Sequence, residues 1–372
     1  MKKIFITAVF CLVLFHLGSS QKANPVIKAL YEYISENENA FGGVLWASAN
    51  VPPLYNEVVP LPQQPLYPEM DSITKSTGTD IKGEQVTDTW LKKINHNVPR
   101  LPYMDMLKQT GRYNFSEVEA LPVFTYQSMN NEALVRVRRE LKLDSVAGNG
   151  SEISKILNLM HWVHDMVRHD GDSENPRSRN AIDLLAVAKQ EDRALNCRMM
   201  AIILNECYLA MGFKSRYVVC MPREKNFEDC HVINTVYSDD LQKWIWIDPT
   251  FNAYLTDNEG TMLGIAEVRE RLLKGLPLVL NPDANWNKTW QLTGEQYLEY
   301  YMARYLYRFE SPLASGYDLE SRKNGKELTY VELLPVASGR KVLHATRKSD
   351  VNHGMTFTYY KTSNPRTFWA KP

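Results

Sequence analysis

Over residues 196–248 the chain changes its hydrophobic period, and that change constrains the fold more than any other feature. Met200, Ile203, Leu204, Cys207, Tyr208 and Met211 recur at helical spacing, which predicts a helix buried along that stripe. Asn196 is placed to cap its start and Gly212 to end it. Residues 216–220, 231–237 and 243–248 then read as strands, the last closed by Pro249. A helix followed by strands, the final pair joined by a turn at 238–241, is an α+β pattern in which an antiparallel sheet packs on a buried helix.

Cys197 falls in the first turn of that helix. Backbone N–H groups there lack intrahelical partners, and the helix dipole favours negative charge, so a thiol at this position is drawn toward thiolate. Its backbone N–H can also donate to a developing oxyanion. If Ser238 pairs with Leu241 across a two-residue turn, His231 lies opposite Asp248 with both side chains on one face. A carboxylate beside an imidazole fixes its orientation and stabilises the imidazolium, the arrangement nucleophilic catalysis needs. A slip of one residue would part them. The same pairing sets Trp244 and Trp246 on the face of Ile233 and Thr235, an aromatic surface suited to wall a substrate pocket. Each residue has a plainer account: a buried thiol, a satisfied core histidine, a turn aspartate before proline. Their joint occurrence favours chemistry.

Elsewhere the pattern is coarser. Residues 152–169 read as an amphipathic helix through Ile153, Ile156, Leu157, Met160, Val163, Met166 and Val167, capped by Ser151 or Asn149. His161, His164 and His169 fall in this stretch, but no glutamate completes a zinc-protease pattern, and a solvated helix face accounts for them without a metal. Residues 181–189, 264–273 and 294–307 read as helices, and 123–126, 328–334 and 355–360 as strands. Toward the start, 24–37 reads as a helix and 51–68, rich in proline, as an extended arm.

Lys2 and Lys3, the apolar run 4–17 and the small residues Gly18, Ser19 and Ser20 before Gln21 form a secretory signal pattern, with cleavage expected near Ser20–Gln21 and a secreted or periplasmic destination. A transmembrane anchor is the alternative, but the run is short and contains His16. Cys11 lacks the small neighbours of a lipoprotein signal. No later segment is long and apolar enough to span a membrane. Of the remaining cysteines, Cys220 and Cys230 flank a loop between adjacent strands, so a disulfide and two separate thiols are both open. Lys+Arg and Asp+Glu balance at 43 each, with no basic cluster to suggest nucleic acid. Sequons stand at Asn114, Asn149 and Asn287.

The run Asn196-Cys197-Arg198-Met199-Met200-Ala201, then Ala210-Met211-Gly212-Phe213, Cys230-His231-Val232 and Trp244-Ile245-Trp246-Ile247-Asp248-Pro249-Thr250, resembles the transglutaminase-like superfamily of papain-type cysteine enzymes. The upstream stretch around Trp162 and His164 is similar to the helix preceding the nucleophile in that family. The resemblance implies a papain/transglutaminase-like core over 150–255 within a domain at 116–372, preceded by a 21–115 extension and the 1–20 signal. It implies Cys197 as nucleophile, His231 as general base and Asp248 as orienting acid, with no cofactor. Family members often carry glycine before the nucleophile; here the run is Arg193-Ala194-Leu195-Asn196. An aromatic or amide side chain usually supports the oxyanion in that family, and Gln190 is the upstream amide for that role. The expected function is an exported peptidase or amidase working through a thioester on peptide or protein substrates, those of the cell envelope included. The alternatives are a cross-linking acyltransferase and a non-catalytic peptide- or glycan-binding module.

Overall fold

A computed structural model describes residues 103–110, 112–116, 121–223, 230–336 and 345–372. All of these belong to one of two compact units of the chain; the other, 1–63 with 90–102, lies outside the described residues. So do the signal segment 1–20, the helix expected at 24–37 and the proline-rich stretch 51–68.

In chain order the helices α1 (Tyr103–Lys108), α2 (Glu132–Glu140), α3 (Leu143–Ala147), α4 (Glu152–Met166), α5 (Ala181–Gln190) and α6 (Cys197–Ala210) come first. Strands β1 (Ser215–Met221), β2 (His231–Ser238) and β3 (Lys243–Ile247) follow. After α7 (Ile265–Lys274) comes a helical run, Gly294–Tyr297, Leu298–Met302 and Ala303–Tyr305, whose middle piece is π-helical. The chain ends with β4 (Arg308–Pro312), β5 (Glu327–Leu333), β6 (Ala345–Asp350), β7 (Met355–Thr362) and a short helix, Pro365–Phe368. The seven strands form one sheet in the order β6-β7-β5-β4-β1-β2-β3. Its neighbours are antiparallel except β5 and β7. The expected α+β architecture, the Cys197 helix on a mainly antiparallel sheet, is the one observed.

Helix α6 begins where the Asn196 side chain accepts from the Met199 N–H at 3.1 Å. Every residue of 199–210 is buried, because α2, α4 and α5 lie against it as well as β1 and β2. Even Glu206 is enclosed; its carboxyl accepts from the backbone N–H groups of Ala181 and Asp318, and burial raises its pKa to about 8. Gly212 ends the helix at φ 89°, a conformation that favours glycine, with the Met129 sulfur close by.

Three expectations need correction. Helix α4 stops at Met166, not at 169, because the following backbone pairs with the segment before Cys197: Leu195 N–H donates to Arg168 O at 2.8 Å and Asp170 N–H to Leu195 O at 2.9 Å. The β2–β3 hairpin pairs Ser238 with Lys243, not with Leu241. Residues 239–242 form its loop, with Gln242 at φ 55°, and the Glu152 carboxylate accepts from the N–H groups of Asp239 (2.9 Å) and Asp240 (3.0 Å). The shift is two residues, so the alternation of faces survives and His231 still shares a face with the strand that leads to Asp248. The helix expected over 294–307 is interrupted by the π-helical piece.

Candidate active site

Cys197 is half-buried at the first position of α6. His231 opens β2 and lies opposite Cys220 on β1; Asp248 follows β3 directly and exchanges two 2.9 Å backbone hydrogen bonds with Ala253. Both His231 and Asp248 are fully buried. His231 Nε2 and Asp248 Oδ2 are 2.7 Å apart. That contact commits Nε2 to the carboxylate, and the ring also interacts with the Cys197 side chain. The structure therefore joins the three residues singled out in the sequence into one chain of contacts, Cys197 to His231 to Asp248.

The electrostatics follow from these contacts. Burial pushes the Cys197 thiol up, but hydrogen bonds from His169 and His231 and the charge on His231 overcome it and hold the group at about 5. Burial disfavours a charged His231, yet Asp248, by charge and hydrogen bond, and Cys197 raise it to about 10. Between these values the pair is thiolate and imidazolium. Cys207 and Cys220 go the other way, both pushed up by burial. No disulfide joins Cys220 to Cys230.

Aromatic residues C-terminal to the triad complete the setting. Tyr297 donates to Asp248 Oδ2 at 2.7 Å and accepts from Trp246 Nε1 at 3.0 Å; Thr250 N–H donates to Oδ1 at 3.0 Å. Burial first, and then the Asp248 charge, hold the Tyr297 phenol protonated, so it remains a donor. Tyr301, in the π-helical piece, brings its hydroxyl to 3.1 Å from His231 Nδ1. Tyr301 meets the imidazole edge to face, and Phe251 packs beside it and edge to face with both Tyr297 and Tyr301.

Trp246, expected to wall a substrate pocket, is buried and supports Asp248 through Tyr297. Trp244 is buried too: its Nε1 donates to Ala370 O at 3.0 Å, and its ring packs on the Arg216 guanidinium beside Phe124, Phe368 and Trp369. Both rings are spent on packing, because the C-terminal residues and the helical run after Gly294 cover this face of the hairpin. Gln190 is exposed at the last position of α5; the side chain that reaches the sulfur besides His231 is His169.

The three upstream histidines go separate ways. His161 stands 3.1 Å from Asp283, His164 is held between Pro249 O (3.0 Å) and Asn285 Oδ1 (2.9 Å), and His169 reaches Cys197. No group of His, Cys, Asp and Glu among the described residues is placed to hold a metal. Tyr297 and Tyr301 were not singled out from sequence, and His169 was considered there only as a metal ligand. The four-residue spacing of Tyr297, Tyr301 and Tyr305 was the available signal for the tyrosines; His169 was hidden by reading it as part of α4.

A family model described as the transglutaminase-like superfamily matches residues 139–249, the span from the end of α2 to just past Asp248. Among solved structures, a chain from Cytophaga hutchinsonii titled a putative cysteine protease is similar at 22% identity, with a TM-score of 0.26. That likeness covers 31% of this chain and 37% of the other. No curated protein matches. Residues 139–249, which carry the Cys197 helix, His231 and Asp248, are thus similar to the core of the transglutaminase-like superfamily.

Proposed function

We propose that the protein is a cysteine enzyme that cleaves amide bonds through a thioester at Cys197. The observation that carries this reading is the continuous path from the half-buried sulfur through His231 to the buried Asp248, with the thiol held at about 5 and the imidazole at about 10. The Cys197 thiolate attacks the amide carbonyl, forming a C–S bond while the carbonyl π pair moves to oxygen. As the oxyanion collapses, the C–N bond breaks and His231 gives its proton to the leaving nitrogen. The neutral imidazole then takes a proton from water, the resulting hydroxide attacks the thioester, and the thiolate leaves. Asp248 keeps the ring aligned and its imidazolium form favoured through both halves.

Hydrolysis is the reading adopted over amine transfer, because the half-exposed Cys197 leaves its thioester open to water. Peptide or protein substrates outside the cytoplasm, cell-envelope material included, fit the signal-like segment 1–20. Among the described residues no helix is long and apolar enough to cross a membrane. The test is acyl-enzyme trapping with a peptide and amide library, using Cys197→Ala as control. A Cys197-linked acyl group that water releases supports hydrolysis; one released only by added amine makes the protein a transferase. No acyl group with any donor leaves a binding module.

A further inference from the structure

The sheet face that carries α6 continues past the helix, and there it holds a carboxylate with no partner. Residues paired across strands share a face, so Glu310 on β4 stands in one row with Val219 on β1 and Glu332 on β5. Val219 packs in the core around α6, which puts Glu310 on the side of the sheet where that helix begins with Cys197. Two residues along β4, Pro312 lies opposite Tyr330. The hydroxyls of Tyr330 and Tyr217, from the strands on either side of β4, both meet Glu320, which also binds Arg198. Arg198, the residue after Cys197, therefore stands over β4 close to Glu310. On the strand itself, Phe309 lies opposite Cys220, and Cys220 opposite His231. Two strand spacings separate Glu310 from the His231 strand, about 10 Å, the reach of about three extended residues.

The other charges here are committed. Arg198 and Arg179 bind Glu320 at 2.7 and 3.4 Å, Arg308 binds Glu332 at 2.7 Å, and Lys361 stands 3.9 Å from Glu332. Glu310 is half-buried and makes no hydrogen bond or ion pair among the described residues. It also faces a second glutamate, Glu332, directly across the strands, an arrangement that like-charge repulsion disfavours. Burial first, and then Glu332 and Glu320, raise its pKa to about 7 against the pull of Arg198 and Arg308. A partly enclosed carboxylate costs stability unless a cation meets it. Beside Cys197, that cation can come with the substrate.

We propose that Glu310 is a specificity-determining residue whose carboxylate receives a primary ammonium group of the substrate, a few residues from the bond that Cys197 attacks. The proposal rests on the amide-cleaving reading above and adds the charge that the substrate carries. An ammonium brings both the counter-charge and the N–H donors that no neighbouring side chain supplies to Glu310. The guanidinium groups of Arg198 and Arg308 do not supply them, because each is held on another carboxylate. Such an ammonium belongs either to the free amino terminus of a short peptide or to a lysine-type side chain.

The test reads charge preference from the alkylation of Cys197 in the full chain, which needs no turnover. Two pairs of peptidyl chloromethyl ketones are compared at about pH 7.5, where Glu310 is mainly ionised and the amines mainly charged. One pair is trialanyl with a free amino terminus against its N-acetyl form. The other is N-acetyl-lysyl-alanyl against N-acetyl-norleucyl-alanyl. In the wild type the charged member of one pair is expected to react about 10-fold faster, the size of one hydrogen bond to a charged group. The pair that shows the preference identifies the source as terminus or side chain. In Glu310→Gln and Glu310→Ala the preference is expected to vanish. The thermal midpoint of both variants is expected to hold or rise, because a charge opposite Glu332 is removed. No preference in either wild-type pair, or one that survives in both variants, would overturn the role. A midpoint that falls in both variants would make Glu310 a structural residue and overturn it as well. A wild type that shows the preference in alkylation but is never acylated, by peptide amides or by p-nitrophenyl acetate, overturns the amide-cleaving reading and leaves the ammonium site standing.

Discussion

Asp248 acts on the sulfur only through His231, so its charge and its shape can be separated. Asp248→Asn keeps the size of the side chain and its Tyr297 and Thr250 neighbours, but removes the charge that raises His231. The expected result is a thiol whose pKa climbs from about 5 toward its ordinary range, and a fall in turnover on the order of 10⁴-fold, the size seen when a triad carboxylate is neutralised elsewhere. Alkylation rate against pH checks the first and steady-state turnover the second. The wild-type profile has a defined sign. Reactivity rises as pH climbs through about 5, where the thiolate forms, and acyl transfer falls as pH climbs through about 10, where His231 loses the proton it must give to the leaving group. Cys197, His231 and Asp248 were all legible as single residues because each stands at an element boundary that the sequence marks: a capped helix start, a strand start and a strand end before proline. His169 was not legible, since its position depends on backbone pairing with Leu195, a contact between segments that local periodicity does not encode.

Elements position these residues through contacts that vary in how local they are. The N-cap of α6 is local: Asn196→Ala removes the acceptor for the Met199 N–H and the amide that donates to Ser173 O at 2.9 Å. A loss of ~1 kcal/mol is expected in urea unfolding, with Cys197 alkylation slowed as the first turn loosens. The hairpin is less local. A two-residue turn of the primed type favours glycine, and Asp239-Asp240 offers none. The longer loop that forms instead is tied to the Glu152 carboxylate at the start of α4, which no reading of the hairpin alone can supply. The face assignment survived because a two-residue shift preserves it. The aromatic shelf from the helical run 294–305 is least local of all. Tyr297→Phe would leave the buried Trp246 N–H without its acceptor and take one donor from Asp248, costing ~1–3 kcal/mol of stability by thermal or urea unfolding.

At the scale of the whole described unit, the Cys197 helix is locked to the C-terminal half of the sheet by a charge cluster centred on the buried Glu320. Glu320 binds Arg198, next to Cys197, at 2.7 Å, and Arg179 at 3.4 Å, and accepts from the hydroxyls of Tyr217 and Tyr330. Burial opposes its ionisation, but Arg198, Tyr217, Arg179 and Tyr330 together hold it down at about 2. A depressed carboxylate stabilises the fold in full above its unfolded value of ~4.3, and that stabilisation is lost as pH falls toward the folded value. Acid unfolding should therefore steepen below the ordinary glutamate range. Glu320→Gln, which strands the buried Arg179 and the half-buried Arg198, should cost ~3 kcal/mol and flatten that dependence. The family match ends at 249 but the sheet does not: β4 to β7 lie beyond it and extend the sheet on the β1 side. The central claim is that Cys197 and His231 form a thiolate–imidazolium pair, and its most direct test is the pH dependence of Cys197 alkylation, read by mass spectrometry in the wild type and in His231→Ala. The account predicts half-maximal reactivity near pH 5 in the wild type and a shift toward the free-thiol value of ~8.5 in the variant. Ordinary thiol behaviour in the wild type, or the same curve in both proteins, would contradict it.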